Sequence, residues 1–322
     1  MGYARKYQVS LKDTPYYHCV ARCVRRGWLY GYDQYAGKDY SHRKDWVIDR
    51  LRELSNLFAI QICAYAVMSN HYHTVLFIDQ DRAKKWSEKQ IVERWTQLFS
   101  LPNLVEKYLK AEGTLAEQEE ARRIIKRWRK RLMDVSWFMR CLNEHLARRA
   151  NAEDKCTGRF WEGRFKSQAL LDEAGLLTAM AYVDLNPIRA GIATSPESSE
   201  FTSIYERIRS VQGQQPSGIR LKRFQTKRSK QCLLPISFND YLQLVDWTGR
   251  QIREGKRGSI DKNLPPILAR LNIDASAWCT AMQPSGNVFG RAMGKLNHLQ
   301  LHAKALGQSW VKGLREAERL YR

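Results

Sequence analysis

The sequence predicts an α+β fold, in which a ferredoxin-like antiparallel sheet with helices carries a helical insertion and a C-terminal helical extension. Two observations predict it. The first is the order strand, helix, strand, strand over residues 16–78, which is the opening of a ferredoxin-like sheet. The second is the long helix-forming sequence that follows at residues 81–150 and returns at residues 237–322.

The first four elements are marked by their residue patterns. Tyr16–Val24 is rich in aromatic and β-branched side chains, which predicts a first strand. Apolar residues at a helical period predict a helix over Arg43–Leu57. Phe58–Met68 and Tyr72–Ile78 are mostly apolar runs, and they predict the second and third strands.

Residues 81–150 interrupt the sheet. Helical patterns occur over Ser87–Phe99, Glu117–Met133 and Trp137–Ala150, and the last can supply the crossover back to the sheet. Phe165–Leu171 then predicts a fourth strand.

The composition changes after residue 200. Residues 201–211 predict a short helix, and residues 214–236 hold six cations and no acid, which is typical of a linker or a DNA-tracking arm. Helical patterns return from Asn239 onwards. We therefore predict a main domain of residues 1–200 with a helical insertion at 81–150, a basic linker of residues 201–236, and an accessory helical domain of residues 237–322.

The charge balance favours a polyanionic partner. The 322 residues include 54 Lys and Arg against 33 Asp and Glu, a net charge of +21 at pH 7. A ribosome-associated or membrane-surface protein would have a similar charge, so charge alone does not choose among these classes. Ten Trp and fifteen Tyr add rings that can stack on unpaired bases.

The cysteines and the apolar segments indicate a compartment. Seven scattered cysteines without a Cys-x-x-Cys pair argue for reduced thiols rather than a disulfide framework or a zinc ribbon. The N-terminal residues lack an apolar export signal, and no window approaches the roughly eighteen apolar residues of a membrane span. We expect a cytoplasmic, nucleoid-associated protein that does not bind a membrane.

His71 and His73 form a candidate metal site at the start of the third strand. Successive strand side chains point to opposite faces, so both imidazoles project together while Tyr72 projects the other way. Two neighbouring imidazoles can hold one divalent cation. A half-buried strand with two exposed histidines is the alternative explanation of the same pattern.

Tyr182 and Asn186 form a candidate second half of the site. Apolar spacing after Asp172 predicts a helix that is closed by Asn186-Pro187 and Gly191. The two residues are four apart, so the helix presents a phenol and an amide on one face. A packed tyrosine with its hydroxyl at the surface would look the same.

Three motifs in this order resemble the single-tyrosine HUH transposases, specifically the REP-associated tyrosine transposases. They are Asn70-His71-Tyr72-His73, the run from Gly158 to Ser167, and the run from Tyr182 to Gly191. With the strand Tyr17–Arg22, the resemblance covers roughly residues 14–195.

The resemblance implies an HUH nuclease core and a reaction. Tyr182 would attack a DNA phosphodiester, leaving a 5′-phosphotyrosyl DNA and a free 3′-OH that permits strand transfer. It implies Mg²⁺ or Mn²⁺ held by His71, His73 and Asn186, and two neutral imidazoles with an amide suit Mn²⁺ well. The implied partners are single-stranded and hairpin DNA of REP-like palindromes, and a monomer is preferred to a dimer.

Basic and aromatic side chains near these motifs are candidate DNA contacts. The cations of residues 122–131 could instead form a solvated helix face that does not contact phosphate. Trp161 could instead be a core residue. The predicted set is Arg22, Arg25, Arg26, Arg127, Arg159, Trp161, Arg164, Arg189, Lys222 and Arg223.

Three functions remain open from the sequence. The first is a metal-dependent nickase and strand transferase acting on single-stranded DNA. The second is a catalytically inactive regulator that binds hairpin DNA. The third is a replication or conjugation initiator, which is disfavoured because no helicase-like segment is fused to the chain.

Overall fold

The computed structural model describes residues 9–24, 29–34, 37–215, 217–226, 233–253, 265–283 and 290–321. The strands are β1 (Tyr16–Arg22), β2 (Tyr32–Asp33), β3 (Lys38–Asp39), β4 (Ile60–Met68), β5 (His71–Ile78), β6 (Lys166–Leu170) and β7 (Ala292–Met293). The helices are α1 (Arg43–Leu57), α2 (Gln80–Lys85), α3 (Glu88–Thr96), α4 (Asn103–Leu109), α5 (Leu115–Arg131), α6 (Val135–Glu153), α7 (Glu173–Asp184), α8 (Asn186–Arg189), α9 (Ser203–Val211), α10 (Phe238–Arg253), α11 (Pro266–Arg270), α12 (Ala275–Ala281), α13 (Leu296–Ala305) and α14 (Leu314–Leu320).

The main sheet has the strand order β4-β5-β1-β6-β7 within the described residues. β1 pairs antiparallel with both β5 and β6, and β4 pairs antiparallel with β5. This order and these directions are those of a ferredoxin-like sheet, so the predicted α+β class is confirmed. β7 adds a short parallel strand beside β6, in a region for which the sequence predicted only helices.

The two faces of the sheet are covered by different helices. Strand side chains alternate between faces, so neighbours on β5 point in opposite directions. The Tyr72 hydroxyl donates to Asn143 Oδ1 on α6 at 2.5 Å, whereas the His73 ring packs near Tyr182 on α7. The α6 face is apolar core, and the α7 face holds polar residues, among them His71 and His73.

The helical insertion is present, and its helix starts are fixed locally. Ser87 and Gln90 form a capping box at the start of α3, and Thr114 and Glu117 form another before α5. Each box satisfies two backbone N–H groups that a helix start leaves unpaired. These starts agree with the patterns that predicted the helices.

The segments around Phe201 and Lys222 pack directly on the sheet. Val67 N–H on β4 donates to the Phe201 carbonyl at 3.1 Å, and Lys222 N–H donates to the Ile62 carbonyl at 2.8 Å. These bonds cover the outer edge of β4, whose backbone N–H and C=O groups would otherwise be unpaired. At the opposite edge, β7 pairs with β6. The predicted boundaries at residues 200 and 236 stay predictions.

In the part of the chain that the structure describes, none of the helices has both the length and the hydropathy of a bilayer-crossing segment.

Candidate active site

A cleft of about 650 Å³ lies between the sheet and α7. Its lining includes His71, His73 and Tyr182, so the structure brings the two predicted imidazoles and the predicted nucleophile together. His18, Arg22, Arg164, Lys166, Gln168 and Lys312 line the same cleft.

The register of the strands explains which residues meet. Arg22 lies opposite His71 and Val20 lies opposite His73 across the β1–β5 pair. Across the β1–β6 pair, His18 lies opposite Gln168. Residues two apart on a strand share a face, so all of these side chains point to the α7 side of the sheet.

The rings of the site are close to one another. The centroids of His71 and His73 are 4.9 Å apart. The Tyr182 ring lies 6.0 Å from that of His73 and 6.3 Å from that of His18, each in an edge-on arrangement. The phenol is half-buried and therefore reachable from the cleft.

His18 is a site residue that sequence reasoning missed, as are Lys166, Gln168 and Lys312. His18 Nε2 lies 2.9 Å from His73 Nδ1, and the two rings are stacked. The only local signal was a histidine in the predicted first strand at even spacing from Arg22, and that signal does not identify its partner. The pairing depends on β1 and β5 being neighbours, which residue patterns do not reveal.

The three imidazoles are uncharged at neutral pH. Burial lowers the pKa of His71 to about 4, and the nearby Arg22 and Arg189 cations act in the same direction. Burial also lowers the pKa of His18 to about 4, although its hydrogen bond to Gln168 opposes the change. For His73 the pKa is lowered well below the ordinary range, first by burial and then by neighbouring His18 and His71. Neutral imidazoles keep a lone pair for a cation.

The hydrogen bonding of His71 fits a cation ligand. Its Nδ1 lies 2.7 Å from Asn70 Oδ1. An amide oxygen only accepts, so Nδ1 carries the proton and Nε2 keeps its lone pair. His71 and His73 therefore fit as two nitrogen ligands for a divalent cation. Among the described residues, no three His, Cys, Asp or Glu side chains are grouped as a metal site.

Asn186, the third predicted ligand, is not among the residues that line the cleft. Its amide nitrogen donates to the carbonyls of Tyr182 and Val183, at 3.1 and 3.3 Å, and so caps the end of α7. Its Oδ1 accepts from Arg189 Nη1 at 3.3 Å. In this arrangement the amide oxygen is directed to a guanidinium.

Arg189 packs against the Tyr182 ring. Its guanidinium carbon lies 4.0 Å from the ring centroid, a cation–π contact. A second anchor is the bond from Nη2 to the Gln283 carbonyl at 3.0 Å. Its Nε is buried without a hydrogen-bond partner among the described residues. Arg189 was predicted to contact DNA, and the structure places it against the candidate nucleophile.

The other predicted DNA contacts do not share one surface. Arg22 and Arg164 are exposed and line the cleft, whereas the exposed Arg127 and Arg159 lie outside its lining. Arg25 and Arg26 lie outside the described residues.

Trp161 and Lys222 are occupied within the protein. The Trp161 indole N–H donates to the Asn143 carbonyl at 2.9 Å, and its ring packs against Tyr72. Lys222 is fully buried, with its ammonium 3.5 Å from the centroid of the Phe77 ring. Its charge therefore does not face solvent, because the segment that holds it runs along the edge of β4.

A second, larger groove of about 1490 Å³ lies at the β4 edge. The exposed Arg223 lines it with Arg82, Lys85 and Arg220. Burial, together with the charges of Arg220 and Arg94, lowers the pKa of Arg82 to about 10. This clustering of cations leaves positive charge that an anion can neutralise.

Comparison with known proteins gives one solved structure and nothing at the level of sequence families. No family model and no curated protein matches the chain. A structure of a REP-associated tyrosine transposase bound to a REP hairpin is similar over 72% of this chain and 96% of the other, with 12% identity and a TM-score of 0.38.

Proposed function

We propose that this protein is a metal-dependent transposase and endonuclease that acts on single-stranded DNA at hairpin-flanked sites. The observation that carries the proposal is the cleft itself. A phenol on α7 lies beside two neutral imidazoles on β5, and basic side chains surround them. These are the parts that a tyrosine needs to attack a DNA phosphate.

In the proposed reaction the Tyr182 oxygen forms a bond to the phosphorus of a DNA phosphodiester. The bond between phosphorus and the 3′ oxygen breaks, the phenol proton passes to water, and the 3′ oxygen takes up a proton. The products are a 5′-phosphotyrosyl DNA and a free 3′-OH. Since the phosphotyrosyl ester keeps the bond energy, a 3′-OH can reverse the step and join strands.

The side chains of the cleft have separate roles. Arg189 fixes the ring plane of Tyr182 through its stacked guanidinium. Arg22, Arg164 and Lys166 supply positive charge that attracts the DNA backbone. His71 and His73 would hold Mg²⁺ or Mn²⁺, which when bound polarises the phosphate oxygens and offsets their charge.

The test is the formation of a covalent adduct. The probe is a labelled single-stranded oligonucleotide that folds into a hairpin, copied from repeated palindromes beside the chain's own gene. We expect a protein–DNA band on a denaturing gel with Mn²⁺, and no band with EDTA. Absence of any adduct with every such palindrome would contradict the proposal.

Binding of the hairpin should weaken steeply with salt, because cations of the protein release counterions from the DNA. We expect the Arg164→Ala variant to bind more weakly and to reduce the slope of log K against log salt by about 0.7 to 0.9. Fluorescence anisotropy at several salt concentrations measures this slope. The control is Arg148→Ala on α6, where the arginine pairs with Glu144 outside the cleft lining.

A second candidate function is a catalytically inactive protein that binds hairpin DNA. The position of Asn186 favours it, because the amide caps α7 and leaves two imidazoles as the predicted ligands. Tight hairpin binding without an adduct would support this alternative.

A further inference from the structure

A chain of hydrogen bonds runs across the sheet from Gly290, two residues before β7, to His73. Gln168 Nε2 on β6 donates to the Gly290 carbonyl at 2.9 Å. Gln168 Oε1 lies 3.4 Å from His18 Nδ1, and His18 Nε2 lies 2.9 Å from His73 Nδ1. We name the Gly290 carbonyl, Gln168 and His18 the histidine relay.

Each link of the histidine relay has one consistent direction. A carbonyl only accepts, so the Gln168 NH₂ faces Gly290 and the Gln168 oxygen faces His18. The oxygen accepts, so His18 Nδ1 carries the proton. A neutral imidazole has one N–H, which leaves a lone pair on His18 Nε2. His73 Nδ1 must then donate, and His73 Nε2 keeps its lone pair.

The opposite direction is unfavourable at the Gln168 end and prevents cation binding at the His73 end. A proton on His18 Nε2 would leave the Nδ1 lone pair facing the Gln168 oxygen, two acceptors without a proton between them. It would also move the His73 proton to Nε2, where the ring could no longer bind a cation.

We propose that the histidine relay selects the tautomer of His73 that binds a divalent cation, with His18 as a positioning residue. The proposal rests on the proposed metal-dependent function. Histidines that bind a metal through one ring nitrogen commonly donate the N–H of the other ring nitrogen to a fixed acceptor, which sets the tautomer and the ring orientation. Here that acceptor is another imidazole, itself fixed by an amide.

The C-terminal extension takes part because it supplies the last acceptor. Ala169 N–H on β6 donates to the Arg291 carbonyl at 2.7 Å, and Leu171 N–H donates to the Met293 carbonyl at 2.9 Å. These bonds hold the backbone around residue 290 beside Gln168. A Cβ at Gly290 would lie 2.9 Å from Lys312 Cβ, so the close approach suits glycine.

The test reads the tautomer directly in metal-free protein. Proton–nitrogen correlation spectra of the ¹⁵N-histidine-labelled full chain distinguish a protonated Nδ1 from a protonated Nε2. We expect His73 to carry its proton on Nδ1. We expect His18→Phe, which removes the acceptor, to shift His73 toward the other tautomer, and His18→Gln to restore it.

Calorimetric titration with Mn²⁺ gives the second readout. We expect His18→Phe and Gln168→Leu to weaken Mn²⁺ binding by about ten- to a hundredfold. The matched control is Gln61→Leu. Gln61 lies on β4 and donates a hydrogen bond to Asp79, and neither residue lines the cleft. Thermal unfolding of each variant identifies any general loss of fold.

The outcomes separate the relay from the proposed function. A protonated Nε2 on His73 in the unsubstituted protein overturns the relay, and so does Mn²⁺ affinity in both variants equal to that of the Gln61→Leu control. If either of these results is found and the protein still forms the DNA adduct, the relay is wrong and the proposed function is retained. If the protein binds no Mn²⁺ and forms no adduct, the proposed function fails, and the metal-free spectra still decide the relay.

Discussion

Substitution of Tyr182 by phenylalanine is expected to abolish the covalent protein–DNA adduct, lowering its rate of formation by at least about a thousandfold. The change removes the oxygen that attacks phosphorus and keeps the ring. Since the Arg189 guanidinium lies 4.0 Å from that ring, phenylalanine preserves the packing of α7 over the cleft. The measurement is the time course of adduct formation with Mn²⁺ and the labelled hairpin oligonucleotide.

The matched control for this substitution is Tyr205→Phe. Tyr205 is a half-buried tyrosine on α9, outside the lining of the cleft. We expect this variant to form the adduct at the unsubstituted rate, and Tyr182→Phe to bind the hairpin with nearly unchanged affinity. An adduct that persists in Tyr182→Phe would mean that another residue is the nucleophile.

Asp184 is a buried carboxylate that ties three helices together. It is fully buried on α7 and accepts from the Ser203 hydroxyl at 2.6 Å and from Ile204 N–H at 3.0 Å. It also accepts from the Tyr241 hydroxyl on α10 at 2.5 Å, and the nearby Arg207 stabilises its charge. The residue therefore links the helix of the candidate nucleophile to α9 and α10.

The Asp184→Ala substitution is expected to lower the free energy of unfolding by about 3 to 5 kcal/mol. It leaves two buried hydroxyls and a backbone N–H without an acceptor and removes the anion that faces Arg207. Chemical denaturation followed by circular dichroism measures the loss. Asp246→Ala is the control, because that partly exposed carboxylate pairs with Arg250 four residues away on α10. Similar losses in both variants would contradict the role assigned to Asp184.

The stability that Asp184 contributes should depend on pH. Burial raises its pKa from 3.8 to about 6, so the folded state holds this proton more tightly than the unfolded state does. This pH-dependent part of its contribution, about 3 kcal/mol, is fully present below pH 3.8 and is lost as pH rises through about 6, whereas the hydrogen bonds that Asp184 accepts do not depend on it. The difference in unfolding free energy between the natural protein and Asp184→Asn should follow this curve. A difference that is constant between pH 4 and 7 would argue against it.

Much of the fold could be predicted from the sequence because its causes are local. α1 occupies the predicted residues Arg43–Leu57, since helical periodicity is visible in neighbouring residues. The strands His71–Ile78 and Lys166–Leu170 lie within one residue of their predicted limits. β7 was not predicted, because two residues carry no strand pattern and pair only when β6 lies beside them.

The candidate site, too, was predicted only where its causes are local. His71 and His73 were predicted to share a face because strand periodicity alone requires it. Asn186 was predicted as a ligand from the family resemblance and from its spacing to Tyr182, and neither shows that the amide turns back to cap the end of α7. Lys222 was predicted as a DNA contact from composition, and its burial depends on the sheet edge that its segment covers.

By itself the sequence determined the strand and helix patterns, the excess of basic residues, and the pairing of two imidazoles on one strand face. Only the tertiary structure decided that His18 contacts His73 and that Gln168 orients His18. The physical reason is separation along the chain. Those contacts join residues 55 and 150 positions apart, and they form only through the register of neighbouring strands in the folded sheet.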